Sequence, residues 1–150
     1  YSATGLMKVF PGRNGLTFDI AKRLVAAGPR SVFNFVYGGK WGRENLGNIE
    51  PDDGWDYRGR SAIMTTGREN YRKTSIGCWG DLRLIENPGL LEMPENAFDA
   101  AGWYWNSRKI NGIDDIREVT RRINPGLMHL DRRIGKTNEG YDLLDLLTNH

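Results

Sequence analysis

The amino-acid sequence predicts a mainly α fold, arranged around a long glycine-rich loop with at most a small β element. Three observations support this fold class. Several segments repeat apolar residues at helical spacing between capping residues and Gly or Pro stops. Only one short stretch, ending near Thr66, reads as extended chain. The region before it is rich in glycine and asparagine, which indicates loop rather than one long helix.

The first part of the chain predicts two helices and then a loop. The segment LTFDIAKRLVAAGP begins after a capping Thr17 and stops at Gly28 and Pro29. Its apolar face consists of Ile20, Leu24 and Val25. A second, shorter helix lies within RSVFNFVYGG. From KWGRENLGN to Trp55 we expect loop, because the stretch ends in the turn signal PDDG.

The second part predicts further helices behind the extended stretch. RENYRKTS is expected to form a short helix, and Asn87 before Pro88 marks another helix start. Pro94 and Glu95 open a longer helix. IDDIREVTRRIN is amphipathic, and the leucine-rich segment GYDLLDLLTNH closes the chain.

Composition indicates one domain over residues 1–150. The chain has 150 residues and 17.0 kDa, with no internal repeat or linker. No run approaches the roughly 18 apolar residues of a membrane span, and no signal peptide is visible. The net charge of +2 favours loose attraction to an anionic polymer such as a bacterial wall, but falls short of what nucleic-acid-binding proteins usually carry.

The residue inventory argues against metal and nucleophile chemistry. The single cysteine, Cys78, cannot form an internal disulfide. The two histidines, His129 and His150, lie far apart in sequence, which disfavours a zinc site and a nucleophile–histidine pair. We therefore predict no metal and no cofactor.

Carboxylates are the remaining candidates for catalysis. The loop contains several close together: Glu44, Glu50, Asp52, Asp53 and Asp56. A glycosidase needs one acid with a raised pKa and a second carboxylate acting on water or sugar. None of these acids has apolar neighbours in sequence, so EPDDG is interpreted as a solvated turn, and the residues alone reveal no catalytic pair.

Aromatic side chains and arginines offer binding surfaces. Trp55 and Tyr57 stand among glycines and charges and are surface candidates for stacking on sugars or bases, whereas Trp103 and Trp105 fit the core of an amphipathic helix. The arginines form two groups in the sequence, with solvated or structural roles as the alternative to binding: Arg58, Arg60, Arg68 and Arg72, then Arg121, Arg122, Arg132 and Arg133.

Four stretches together resemble the catalytic domain of glycoside hydrolase family 19, in its phage and bacterial endolysin branch. They read YSATGLMKVFPGR, VYGGKWGRENLGNIEPDDGWDYRGRSAIMTTGRENYR, AAGWYWNSRKIN and VTRRINPGLMHLDRR. The likeness runs from about Tyr1 to Arg133, with the motifs in the family's order and spacing.

The resemblance implies a lysozyme-like helical domain that hydrolyses β-1,4 links of peptidoglycan or chitin with inversion, using two Glu residues and a water-holding hydroxyl. The hydroxyl falls on Thr66. The family's substrate contacts fall on Asn70, Asn124 and Arg133. Tyr57 and Arg60 lie where the family's loop frames the cleft, and the residue pattern adds Trp55 as a candidate contact. The implied partners are glycan strands, with neither nucleic acid nor membrane, and the implied place of action is the bacterial cell wall or periplasm.

The chain also departs from the family pattern. The family's two catalytic Glu residues belong to a segment that precedes the counterpart of Tyr1, so we expect the acids upstream of residue 1, or on a complementing chain. Met64 stands where the family has a substrate-binding Gln. Ser61 and Pro125 each replace a glycine. These departures keep an alternative open: a non-catalytic glycan-binding or structural relative that retains the cleft. A basic nucleic-acid binder is the less favoured third hypothesis.

Overall fold

A computed structural model describes residues 1–148 and confirms the mainly helical fold class. Ten α-helices are found in this part of the chain: α1 Ala3–Val9, α2 Phe18–Ala27, α3 Pro29–Val36, α4 Gly39–Leu46, α5 Asp53–Asp56, α6 Arg68–Trp79, α7 Arg83–Glu86, α8 Pro94–Ser107, α9 Ile116–Ile123 and α10 Leu130–Thr148. Two 3₁₀ turns, Arg13–Gly15 and Pro88–Glu92, lie between them. The small β element is one antiparallel bridge between Arg60 and Thr65.

Several of these helices begin or end at the capping and stop residues that the sequence predicts. The Thr17 hydroxyl accepts from the Ile20 amide at 3.3 Å and caps α2, which ends at Gly28 with a φ of 100°. Pro29 then begins α3 at the position where a missing amide proton costs nothing. The helices expected from Pro94 and within IDDIREVTRRIN are confirmed as α8 and α9.

The prediction of a loop between residues 40 and 55 is wrong, because this region contains α4 and the start of α5. Gly42 lies inside α4, where a Cβ would come within 1.9 Å of the Tyr37 carbonyl oxygen. That glycine therefore permits close packing rather than a bend. The side-chain amide of Asn48 donates to the same carbonyl at 2.8 Å and fixes the chain just beyond the helix.

The C-terminal leucine-rich segment belongs to a longer helix than expected. Residues of GYDLLDLLT continue α10, which begins at Leu130. Asn149 and His150, which the sequence places at the end of this segment, lie outside the described residues.

The chain forms two compact units, and the boundary falls within α8 after Trp103. The expectation of one domain over residues 1–150 stays a prediction. The first unit contains two apolar clusters. Helices α1 to α3 enclose Leu6, Phe10, Leu16, Ala21, Val32 and Val36, and the second cluster consists of Tyr57, Tyr71, Leu84, Leu91 and Ala100.

The second unit begins at Tyr104 and has its own buried residues: Ile110, Thr120 and Leu130. The Arg122 guanidinium donates to the carbonyl oxygens of Arg108 and Lys109, both at 2.8 Å. It thereby ties α9 to the turn that follows α8. No described helix is both long and apolar enough to cross a membrane.

Candidate functional site

Four of the eight predicted site residues lie on the segment between α5 and α6, residues 57–67. The Arg60 amide donates to the Thr65 carbonyl at 3.1 Å, which closes a tight turn over residues 61–64. Ser61 and Met64 both have left-handed backbone conformations, with φ of 68° and 60°. Such values are uncommon for residues other than glycine and mark a turn held by its surroundings.

A buried ion pair anchors the start of this segment. Asp53 is 2% exposed and accepts two hydrogen bonds from the Arg68 guanidinium, at 2.8 and 2.7 Å. It also accepts from the amides of Ile49 and Glu50. Burial alone would raise the pKa of Asp53, but these donors outweigh burial and hold it below its ordinary value.

The interpretation of EPDDG as a solvated turn is therefore wrong for Asp53. Sequence reasoning missed this residue because its partner Arg68 comes fifteen residues later, on α6. The exposed neighbour Asp52, which pairs with Arg30 and Asn34, does fit a solvated turn.

Tyr57 packs in the interior instead of offering an exposed stacking face. It is 4% exposed, lies edge-on to Tyr71 with ring centroids 5.2 Å apart, and donates its hydroxyl to the Ile85 carbonyl. The expectation that Tyr57 is a surface ring is wrong, since tertiary packing covers it. Trp55 is half-buried, with the Arg58 guanidinium 4.2 Å from its ring centroid.

The Arg60 side chain links three other residues of the first unit through hydrogen bonds. Its side chain is 8% exposed and donates to Glu92 at 2.7 Å, to the Asp56 carbonyl at 2.6 Å and to the Tyr71 hydroxyl at 3.0 Å. Arg58 donates to the same Glu92 oxygen at 2.9 Å. Two arginines on one carboxylate fix the segment against the turn before α8.

A cavity of about 520 Å³ opens beside these residues. Trp55, Tyr57 and Arg60 all contribute to its wall, so the structure brings three predicted site residues together. Its other charged lining residues are Glu50, Asp52, Asp53, Asp56, Arg58, Arg68 and Glu86. The volume is within the usual range of ligand pockets.

Thr66, Met64 and Asn70 form a second group, joined by hydrogen bonds. The Thr66 hydroxyl donates to the Met64 carbonyl at 2.8 Å, and the Asn70 side-chain amide donates to the Thr66 carbonyl at 2.7 Å. Met64 is 65% exposed. Among the described residues, these three are not part of the wall of the 520 Å³ cavity.

The last two predicted contacts lie in the second unit. Asn124 ends α9, and its side-chain oxygen accepts from the Gly126 amide at 3.2 Å. Arg133 is exposed on α10 and lines a cavity of about 280 Å³ with His129, Arg132 and Lys136.

The two tryptophans expected in the core are only partly covered. Trp103 is half-buried and packs against Gly77, while Trp105 is 37% exposed and donates to the Asn111 side chain at 2.9 Å. Within residues 1–148, no group of three or more His, Cys, Asp or Glu side chains could hold a metal ion.

Comparison with known proteins gives one relative of note. The chain is 30% identical over 133 residues to a glycosyl hydrolase family 19 domain-containing protein of Haemophilus influenzae. This likeness supports family 19. The alignment covers 89% of this chain and 62% of the relative, so the chain spans less than two thirds of the relative's length. No family model matches the chain.

Proposed function

We propose that the chain is part of a family 19 glycoside hydrolase that cleaves β-1,4 links in an N-acetylated aminosugar polymer, either peptidoglycan or chitin. The observation that carries the proposal is the 30% identity over 133 residues to a relative named for this family. The ordered family motifs between Tyr1 and Arg133 support it.

The proposed mechanism is inversion by two carboxylates, with both acids on a segment that precedes Tyr1. Six of the described carboxylates are poor candidates for the general acid. They have a pKa below the ordinary range because arginine holds them as anions: Asp52, Asp53, Glu69, Asp81, Glu92 and Glu118. Arg72 lowers the pKa of Glu69 to about 2. A general acid needs the opposite shift.

Thr66 is proposed to hold the attacking water. Its hydroxyl proton is engaged by the Met64 carbonyl, so the oxygen presents lone pairs and accepts a hydrogen bond. A water donating one proton to Thr66 and the other to a base keeps a lone pair directed at the anomeric carbon. Asn70 fixes the Thr66 backbone for this role.

The proposed sugar contacts are Trp55, Tyr57, Arg60, Met64, Asn70, Asn124 and Arg133. For Tyr57 and Arg60 we propose a framing role, because both are buried and engaged within the fold. We place the action at the bacterial cell wall or periplasm, where the small positive charge favours an anionic polymer.

The deciding experiment uses the protein as its source produces it. Its intact mass and N-terminal sequence establish which residues precede Tyr1, and turnover is then measured on peptidoglycan and on chitin oligosaccharides beside the 150-residue chain. We expect turnover by the source-produced protein only, with the α-anomer as the first product by proton NMR. A β-anomer would contradict inversion.

The alternative is a glycan-binding relative without catalysis, which is favoured by Met64 in place of the family's glutamine. It predicts saturable binding of glycan fragments with no turnover by the source-produced protein. Absence of both binding and turnover would contradict the two proposals together.

A further inference from the structure

The C-terminal half of α10 exposes a contiguous group of leucines to solvent. Their exposed fractions are 62% for Leu143, 57% for Leu144, 62% for Leu146 and 77% for Leu147. Single exposed leucines are ordinary, but a contiguous apolar group on a protein surface marks an interaction site. The buried residue of this helix, Leu130, lies at its other end.

A cationic cluster precedes the leucines on the same helix. The cavity of about 280 Å³ is lined by His129, Arg132, Arg133 and Lys136. Lys136 pairs with Glu139 at 2.5 Å. Arg132 and Arg133 form no ion pair with any residue of 1–148. These two guanidinium groups are therefore available to an anion outside the chain.

Helical spacing places the cations and the leucines on one side of α10. Leu143 lies about two turns after Lys136, and Leu147 about one turn further on. By the same spacing, the other side of the helix carries three acids: Asp131, Asp142 and Asp145. One side of α10, which we call the α10 face, is thus cationic in its first half and apolar in its second.

This combination restricts the partner of the α10 face. Nucleic acid would satisfy the arginines but leave the leucines in water. A second copy of the same face would set cations against cations in a parallel pairing, and against leucines in a fully overlapping antiparallel one. A bilayer of anionic phospholipids offers phosphates in its headgroup layer and hydrocarbon directly beneath, so it matches both halves.

We propose that the α10 face attaches the protein to the surface of an anionic phospholipid membrane. The helix lies in the plane of the surface, with Leu143 and Leu147 in the boundary between headgroups and acyl chains. Arg132 contacts lipid phosphates beside them. The inference is independent of the proposed glycan hydrolase function, and it departs from the absence of a membrane partner that the family resemblance implies.

Vesicle sedimentation with the source-produced protein tests the attachment. The probes are vesicles of phosphatidylcholine mixed with phosphatidylglycerol and vesicles of phosphatidylcholine alone. We expect saturable binding to the mixed vesicles that weakens as salt is added, because salt screens the arginine–phosphate attraction. Binding to phosphatidylcholine alone should be much weaker.

Variants of the α10 face give the second readout. The double substitution Leu143→Ser with Leu147→Ser should lower the affinity for mixed vesicles at least about ten-fold, because two apolar side chains are lost from the boundary layer. Arg132→Gln should lower it about five-fold at low salt.

Matched controls remove the same groups elsewhere. Leu82→Ser substitutes an exposed leucine of the first unit, and Arg23→Gln substitutes an exposed arginine on α2 that forms no ion pair with any residue of 1–148. Both should leave vesicle binding unchanged, and circular dichroism verifies that each variant is folded.

Several results would overturn the inference. Equal binding to the two kinds of vesicle would remove the role of the cations, and undiminished binding by the double leucine variant would remove that of the leucines. Absence of vesicle binding would overturn it outright. A dimer in lipid-free analytical ultracentrifugation that the double variant dissociates would instead assign the α10 face to contact between copies.

Turnover of soluble glycan fragments by the same variants tests the proposed function separately. None of the substituted residues belongs to the proposed sugar site, so turnover should be unchanged whether or not the vesicles bind. Failure of vesicle binding with turnover intact would contradict the membrane inference alone.

Discussion

At the scale of single residues, Asp53 is a buried carboxylate whose partners are all groups of the protein itself. Its side chain is 3% exposed and is fully engaged by Arg68 and two backbone amides. These bonds fix the start of α5 to the start of α6. Thr66, the proposed water-holding residue, lies in the chain between those two points, so we expect its placement to depend on the ion pair.

We predict that Asp53→Asn destabilises the protein by about 2–3 kcal/mol, because the Arg68 guanidinium loses its counter-charge in a partly buried position. Chemical unfolding followed by circular dichroism measures the change. The control is Asp52→Asn, whose carboxylate is 52% exposed and pairs with Arg30 in solvent. An equal cost for the two variants would show that burial of the Asp53 pair does not contribute.

Thr66 supplies the second prediction at this scale. Thr66→Val removes the hydroxyl but keeps the side-chain shape, and kcat on the preferred glycan should fall about a hundred-fold because the water loses an acceptor. Thr66→Ser should retain most of the activity. Both are measured in the source-produced protein. Unchanged kcat in Thr66→Val would rule out the water-holding role while leaving the rest of the proposal in place.

At the scale of elements, glycines decide how closely helices pack in the first unit. Gly77 lies on α6, where a Cβ would come within 2.0 Å of the Trp103 indole nitrogen on α8. Gly102 lies on α8 itself and has open space around its Cα. Both glycines lie inside a helix, but an added Cβ would meet another side chain only at Gly77.

This contrast predicts opposite effects for the same substitution. Gly77→Ala should destabilise the protein by about 1–3 kcal/mol through overpacking against Trp103. Gly102→Ala should stabilise it by up to about 1 kcal/mol, because alanine has the higher helix propensity. Thermal unfolding of the two variants beside the parent protein measures both. A stabilising Gly77→Ala would mean that the indole moves away at little cost.

At the scale of the whole molecule, arginine–carboxylate pairs recur along the chain. Some are exposed neighbours on one helix, such as Glu69 with Arg72, whereas Asp53 with Arg68 is largely buried. In each case the arginine favours the ionised acid. Because the folded-state pKa of these carboxylates is depressed, their contribution to stability is fully present above their unfolded values and is lost as pH falls.

The chain should therefore lose stability as pH drops from about 4.5 towards 2, the interval between the ordinary and folded pKa of Glu69. Thermal unfolding between pH 6 and pH 2 measures the loss. High salt should weaken the contribution of the exposed pairs to stability more than that of Asp53. Asp53→Asn should reduce the dependence of thermal stability on pH. A midpoint that stays constant down to pH 2.5 would contradict the prediction.

The sequence by itself determined the fold class and most helix positions. Capping by Thr17, the stop at Gly28 and Pro29, and the start at Pro94 are local effects of side chains on their own backbone, so they can be read from neighbours in the chain. The family 19 resemblance was likewise visible in ordered motifs, and the Haemophilus influenzae relative supports it. Residue roles within the site stay predictions.

Only the tertiary structure decided which glycines bend the chain and which allow close packing. The residues around Gly42 predicted a loop, yet Gly42 lies inside a helix against the Tyr37 carbonyl. The sequence predicted a solvated Asp53 and an exposed Tyr57. Both side chains are instead buried by partners fourteen or more residues away in the chain. Burial and ion pairing depend on residues that folding brings together, and their spacing along the chain does not encode that proximity.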